Sequence, residues 1–497
     1  MARLVRSVCL IIPPSPFLTD EHVFPFLGPL KVGSMLKDAK WPVKVIDLAG
    51  KTDFIRDIEN AVSNSESQCF GITATTPQFP AAVQIAKAIH RVRKDARSII
   101  GGTHATLTVA ARKYAEERRM VGRAAASYRQ LEDNFDVIVS GDGEETIFLA
   151  TEDNAPKLID ADDRRSPLFL TNEMLDATPF PARDLIDLDS YHYFIDGVRA
   201  TSLIAQLGCP YNCGFCAGRA SSMLRKIRTR SAENIVKEMK FLYQTYGYRG
   251  FMFYDDELNL TPKMVDLMKM ITQAGCELGV EWKLRGFIKS ERFNDEQAQV
   301  MFEAGFREIL IGFESGSPRI LKNIQKGATL DDNTRCMEIA DRRGLKVKAL
   351  MSLGHPGESE ETIELTLNWL LKVKPAAFDA TVITPYPGSP YYDDALPVPV
   401  VDGENPVWVY SAKNGDRLYQ EAVDYAKTAD YYKGNPNEDD GYVSHVWTDF
   451  IDARTLVLRR NELEKTVRAK LDIPLTPSRP GEVYERSMGQ SPPLIPS

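Results

Sequence analysis

Eleven short apolar runs, most of them separated by helix-like segments, decide what this chain can fold into. Five lie in the first third: Leu4–Ile12, Val43–Leu48, Gln68–Thr73, Ser98–Gly101 and Asp136–Ser140. Helices are expected around them at Leu27–Asp38, Pro80–Arg93 and Gly143–Thr151. Six more runs follow: Thr201–Leu207, Gly250–Tyr254, Val280–Arg285, Glu308–Phe313, Val347–Leu353 and Phe378–Thr384. Strands joined through helices pair in parallel, because the crossover returns the chain to the same end of the sheet. The class is therefore α/β, and a chain of 497 residues has room for two or three domains. A Rossmann-like, doubly wound unit is expected over 1–150 and a partial (β/α)6 barrel over 196–390. A linker rich in Asp, Pro and Arg spans 151–195. Thr261-Pro262 and Ser317-Pro318 read as helix starts, Gly275 and Gly344 as helix ends.

The chemistry concentrates in Cys209-Pro210-Tyr211-Asn212-Cys213-Gly214-Phe215-Cys216, a C-x-x-x-C-x-x-C loop that follows the first strand of the second unit. Three thiolates so close can bind three irons of a [4Fe–4S] cluster. The other four cysteines, Cys9, Cys69, Cys276 and Cys336, are isolated and offer no local fourth ligand. One iron would then stay open to a small molecule. Zinc is the alternative, but it usually takes four protein ligands, and neither a second C-x-x-C pair nor a nearby His is present. Seven cysteines in a chain this long do not make a disulfide scaffold.

Parallel sheets and barrels bind ligands at the carboxyl ends of their strands. In the first unit those ends carry Pro13-Pro14-Ser15-Pro16-Phe17, Thr75-Thr76-Pro77-Gln78, Gly101-Gly102-Thr103-His104 and Gly141-Asp142-Gly143-Glu144-Glu145. Small residues there let a large ligand approach the backbone. No G-x-G-x-x-G opens the first helix, which argues against nicotinamide binding. In the second unit the strand ends carry Tyr254-Asp255-Asp256-Glu257, Arg285, Gly312-Phe313-Glu314-Ser315-Gly316-Ser317, Gly354-His355-Pro356-Gly357-Glu358 and Thr384 to Pro390.

With Phe215 before its last cysteine, the loop Cys209–Cys216 resembles the signature of the radical S-adenosylmethionine (SAM) superfamily. Together with Gly-Gly-Thr-His-Ala-Thr and Gly-Asp-Gly-Glu-Glu upstream, the chain resembles the cobalamin-dependent branch of that family. The resemblance covers about the first four-fifths of the chain. It implies three cofactors: a [4Fe–4S] cluster on Cys209, Cys213 and Cys216, SAM, and cobalamin. SAM would meet Phe215, Asp255, Asp256, Arg285, Glu314 and Ser315. A carboxylate suits its ammonium group, and Asp255 and Asp256 are preferred over Glu257. Arg285 is open between the SAM carboxylate and a plain salt bridge. Cobalamin would meet Pro14, Thr75, Thr76, Gln78, Gly102, His104, Gly141, Gly143 and Glu144. The D-x-H-x-x-G run that supplies a cobalt ligand in the cobalamin fold is missing, and His22 is expected to be a surface-loop residue.

The resemblance implies a methyltransferase that moves methyl from methylcobalamin to an unactivated carbon of a small molecule, by way of a 5′-deoxyadenosyl radical. Cyclisation or ring rearrangement with the same cofactors, non-radical methyl transfer, a first unit that has lost cobalamin, and an Fe–S electron carrier or sensor are the alternatives. Expected partners are a small-molecule substrate and an electron donor such as flavodoxin or ferredoxin. A net charge of −8 and pI near 5.5 argue against nucleic acid. No apolar run is long enough to span a membrane, and a cytoplasmic location is expected, where thiols stay reduced.

The region 391–473 is expected to be a small, mainly helical cap over the substrate. Its aromatics include Trp408, Tyr410, Tyr419, Tyr425, Tyr431, Tyr432, Tyr442 and Trp447. A helix at Asp452–Leu471 carries Arg459, Arg460 and Arg468 on a face expected to be solvated. The Pro- and Ser-rich tail 474–497 is expected to be disordered.

Overall fold

The computed structural model describes residues 5–15, 21–23, 25–120, 122–399, 406–428 and 443–473. Pro16, Phe17, Tyr431, Tyr432, Tyr442 and the tail 474–497 lie outside the described residues.

The first unit is a parallel sheet of β1 (Val8–Ile12), β2 (Val43–Asp47), β3 (Cys69–Thr73), β4 (Arg97–Gly101), β5 (Val137–Ser140) and β6 (Leu158–Asp160). The order β2-β1-β3-β4-β5-β6 reverses between β1 and β3. Such a switch point opens a crevice at the carboxyl ends of the two strands. Neighbouring residues on a strand face opposite sides of the sheet. Ile99 and Val139 accordingly join Leu36, Ile147 and Phe148 on one face. Ile100 and Ile138 join Ile85, Ile89 and Val109 on the other. Each such side chain contributes about 1.5–3 kcal/mol on full burial. β6 falls inside the segment read as linker; at three residues it is too short to show a pattern.

The second unit opens with the hairpin β7 (Phe194–Ile195) and β8 (Val198–Leu203). A two-residue ribbon, β9 (Gln206–Leu207) with β10 (Arg228–Thr229), then brackets the cysteine loop. Next come β11 (Gly250–Phe253), β12 (Lys283–Gly286), β13 (Glu308–Glu314), β14 (Lys346–Leu353) and β15 (Ala377–Val382). They form two sheets, β12-β11-β8-β7 and β13-β14-β15. Two bridges, Leu284 to Phe306 and Phe287 to Leu310, link them at the β12/β13 seam. The six parallel strands of the barrel lie where the sequence reading put them, within a few residues.

Gly275 does not end its helix. That helix runs Lys263–Leu278 and closes at Gly279, where φ is +64°. A Cβ on Gly275 would lie 2.8 Å from Val280 O and 3.0 Å from Trp282 Nε1, so close packing is what demands glycine there.

Beyond residue 390 the expectation of a mainly helical cap needs correction. The described residues form an antiparallel sheet of β16 (Leu396–Val398), β17 (Val407–Ser411), β18 (Arg417–Glu421) and β19 (Val446–Thr448). The aromatics are strand formers rather than a helical core: Tyr419 and Trp447 sit opposite each other and stack at 5.8 Å. One long helix, Ala453–Leu471, covers the open edge of β15. Its arginines are not a solvated face either. Arg460 and Arg468 donate to Ala380 O and Phe378 O, and Glu464 accepts the Ala380 N–H. These side chains satisfy an edge strand's exposed backbone. Arg459 alone of the three stays outside, paired with Glu360 and Glu462.

Candidate active site between the two units

The cysteine loop is held by backbone hydrogen bonds and by one arginine side chain. Gly208 enters it with φ of +84°, and a Cβ there would sit 2.2 Å from Lys226 O. Cys209 N donates to Leu224 O at 2.8 Å and Gly214 N to Ile324 O at 2.8 Å. Tyr391 N donates back to Gly214 O at 3.0 Å. The Arg225 guanidinium binds the carbonyls of Tyr211 and Pro210 at 2.6 and 2.8 Å.

Burial pushes the Cys213 thiol up to about 12 and Cys209 up to about 11, while Cys216 is exposed. Metal would have to displace those protons. Among the described residues no group of three or more His, Cys, Asp or Glu could hold a single ion. Three thiols carried on one eight-residue loop fit a cluster whose corners each take one thiolate.

The carboxylates at the end of β11 divide into two kinds. Both oxygens of Asp255 accept the Ala205 N–H, at 3.1 and 3.2 Å, and Oδ1 also takes the Gln206 N–H. Asp256 accepts the Gly208 N–H at 2.7 Å. These two aspartates hold the lead-in to the cysteine loop. Glu257 differs: its Oε2 is buried with no hydrogen-bond partner. Burial pushes its carboxyl up to about 7 against the pull of Lys326 and Lys289.

A chain of polar groups runs behind the loop. Lys326 Nζ donates to Glu314 Oε1 at 2.7 Å, and Ser352 Oγ donates to Glu314 Oε2 at 2.8 Å. Ser352 Oγ also lies 2.8 Å from His355 Nε2, and His355 Nδ1 lies 3.3 Å from Tyr391 Oη. Burial pushes His355 down to about 4, so it is neutral. Burial would raise Glu314, but Lys326 and Ser352 hold it below its usual range. Phe215 packs 5.5 Å from the His355 ring. Ser315 Oγ accepts the Ser317 N–H at 3.1 Å and lies 3.2 Å from Thr366 Oγ1. Arg285 Nε lies 3.1 Å from Glu308 Oε1 in an ion pair, and its Nη1 donates to Tyr193 Oη at 3.2 Å. Lys289, Lys326 and Ser352 carried no sequence signal. Lys289 follows a strand, Lys326 a short helix, and Ser352 sits within β14; only the fold brings them to the polar groups behind the loop.

Beside the loop a cavity with about 1390 Å³ of empty space, part of it open to solvent, separates the two units. Leu10, Gly71, Thr73, Gly102, Gly141, Gly143 and Glu144 line it from the first unit, and Ile204, Leu207, Met223 and Arg228 from the second. It lies at the carboxyl ends of β3, β4 and β5, with Leu10 of β1 at its wall. Gly28 also faces it, with open space where a Cβ would project. Pro14, Thr75, Thr76, Gln78 and His104 do not line this cavity. Gln78 Nε2 is spent on Pro13 O and Ser15 Oγ, both at 3.0 Å. Gln78 Oε1 closes a capping box with Thr75. His104 Nδ1 lies 3.2 Å from Thr76 Oγ1, its ring 4.1 Å from Phe79. Burial pushes it down to about 3. Pro14 is buried beside this loop. His22 is half-buried, edge-on to Tyr191.

Residues 203–370 match the model of the radical SAM superfamily, and residues 19–131 match that of the B12 binding domain. The chain joins a B12-binding domain to a radical SAM domain. It is 28% identical over 400 residues to an uncharacterized methyltransferase of Pyrococcus horikoshii, covering 79% of this chain and 83% of the relative. It is 24% identical over 341 residues to the anaerobic magnesium-protoporphyrin IX monomethyl ester cyclase of Cereibacter sphaeroides, covering 65% of this chain and 52% of that one. The solved structure of the radical SAM methyltransferase TsrM from Kitasatospora setae, with cobalamin and a [4Fe–4S] cluster bound, superposes with a TM-score of 0.62. Identity is 17%, over 95% of this chain and 92% of TsrM. The radical SAM domain thus lines the cavity with residues that flank the cysteine loop, Leu207 before it and Met223 after it, and the first unit lines the other side with its glycine loops.

No helix among the described residues is long and apolar enough to cross a membrane.

Proposed function

We propose that the protein is a cobalamin-dependent radical SAM methyltransferase acting on an unactivated carbon of a small molecule. One observation carries the reading: Gly102, Gly141 and Gly143 open onto the same cavity as Leu207 and Met223, which flank the cysteine loop. The donor sets fit both groups. Three thiols on one short loop suit a cluster, and an apolar, glycine-lined cavity at the carboxyl ends of parallel strands suits a large planar cofactor with a nucleotide tail.

The cluster would supply the electron that cleaves SAM, and cobalamin the methyl group that is handed on. The chain's own residues bind and exclude. Glu257 has the free carboxylate oxygen for an ammonium group. The loops at Gly102 and Gly141 bring backbone to the edge of the large cofactor, and the cavity wall keeps water from the reacting carbon. The substrate and a low-potential electron donor such as flavodoxin or ferredoxin would approach from the solvent-open side of the cavity, and a cytoplasmic setting would keep the thiols reduced.

The experiment is anaerobic reconstitution with iron, sulfide and hydroxocobalamin, followed by turnover with SAM and a low-potential reductant such as dithionite, and product analysis. Stoichiometric retention of both groups, with 5′-deoxyadenosine and S-adenosylhomocysteine formed together, supports the reading. Retention of the cluster without cobalamin sinks it. The similarity to the cyclase favours a second reading, radical cyclisation with the same cofactors. That reaction would release 5′-deoxyadenosine without S-adenosylhomocysteine.

A further inference from the structure

Three backbone irregularities converge on one ion pair. Glu314 ends β13 with φ of +67°, a conformation that non-glycine residues seldom adopt. The pairing of β13 with β14 slips between Gly312 and Glu314. A Cβ on Gly312 would lie 2.5 Å from Glu314 Oε1 and 2.6 Å from Lys326 Nζ. All three departures have one effect: they fold the Glu314 carboxylate back under Gly312 and onto Lys326.

The partner side is shaped as well. Gln325 at φ +60° and Gly327 at φ +91° turn the chain around Lys326. The carbonyls of that turn face the cysteine loop. Ile324 O accepts the Gly214 N–H, and Lys326 O accepts Lys289 Nζ at 3.0 Å. Lys289 in turn places its cation 3.8 Å from the centre of the Tyr211 ring. Lys326 is almost wholly buried and lies two residues after the carbonyl that holds Gly214, the neighbour of Cys213; its charge acts on the Cys213 sulfur and Glu314 acts with the opposite sign.

We propose that Lys326 is a positioning residue for the cysteine loop: a buried cation, locked by Glu314, that seats Cys213 and eases electron uptake by an iron–sulfur centre bound there. This rests on reading the loop as a cluster site. A cluster on three thiolates gains negative charge when an external donor reduces it. A buried cation nearby favours that step and a buried anion opposes it, with little screening by solvent or salt.

The test is an EPR-monitored redox titration of the reconstituted full-length protein without SAM, alongside iron and sulfide counts. Lys326→Met keeps the length and removes the charge, so the midpoint moves to more negative potential. Glu314→Gln keeps the shape and removes the opposing charge, so the midpoint moves the other way. The double variant returns towards the wild-type value. Unchanged midpoints, or shifts of the same sign in both single variants, overturn the proposal, because loosened packing alone has no reason to reverse sign. Should Lys326→Met fail to fold or to hold iron, Glu314→Gln decides: an unshifted or more negative midpoint overturns the proposal. A wild-type protein that binds no four-iron cluster overturns the reading of the loop itself.

Discussion

Arg228 Nη1 lies 2.6 Å from Asp142 Oδ2, in a buried ion pair between the end of β5 in the first unit and β10 in the second. The same carboxylate oxygen accepts the Leu170 N–H at 2.9 Å, and the same guanidinium nitrogen donates to Leu170 O at 3.1 Å. One charged pair thus fastens the glycine loop of the first domain, the connecting segment and the ribbon beside the cysteine loop.

Breaking one half of that pair leaves a buried charge uncompensated. Asp142→Asn is expected to cost about 3–5 kcal/mol, read from the midpoint of urea unfolding. Replacing both partners, as Asp142→Leu with Arg228→Met, is expected to recover most of that loss. A double variant no more stable than Asp142→Asn would show that the pair acts through geometry rather than charge compensation.

The carboxylates after β11 are expected to separate binding from stability. Glu257→Gln leaves the fold intact and weakens SAM binding to the reconstituted protein by roughly tenfold or more in Kd, measured by anaerobic calorimetry, as a charge-assisted contact is lost. Asp255→Asn instead costs about 1–3 kcal/mol of stability, because Asp255 satisfies backbone N–H groups next to the loop. The reverse pattern would return the binding role to Asp255.

Glu358 gives a pH signature away from the cysteines. Its oxygens accept the Gly354 N–H at 3.1 Å and the Thr362 hydroxyl at 2.5 Å, and burial pushes its carboxyl from 4.5 to about 7. Between those values the folded chain keeps a proton that the unfolded chain has released. Its contribution is therefore full below about 4.5 and is lost as pH climbs to about 7. Glu358→Gln stays neutral throughout, so its stability relative to wild type is expected to improve from pH 5 to 7.5. A flat difference in thermal unfolding across that range would exclude the raised carboxyl.

Gly102 has φ of +89°, and a Cβ there would lie 2.7 Å from Thr73 Oγ1 and 3.0 Å from Ala74 N. Gly102→Ala must move the loop at the cavity edge. Cobalamin retained after desalting, counted by its visible absorbance, is expected to drop at least several-fold while the iron count holds. Retention equal to wild type would remove that loop from the cofactor site.

Much of this was legible in the sequence because parallel strands bury both faces and so appear as unbroken apolar runs, such as Ile99-Ile100 and Val137-Ile138-Val139. The cysteine loop was legible from spacing alone. Two kinds of feature were not. Strands β16 to β19 are short and interrupted, and their aromatics fit a helical cap as well as a sheet. Side chains that meet only through the fold left no local pattern: Lys326 comes after Ile324-Gln325 as any surface lysine might, and Glu257 is distinguished from Asp255 only by which backbone donors lie nearby.

The ring of Tyr391 occupies the space beside Gly214, where a Cβ would come within 2.2 Å of it, and its backbone N–H closes onto Gly214 O. Tyr391 lies past the last barrel strand. During synthesis the cysteine loop therefore emerges long before the residue that packs against it. A nascent chain stalled before residue 385 lacks that packing, and an iron–sulfur centre bound to it should exchange iron with solution faster than in the finished protein.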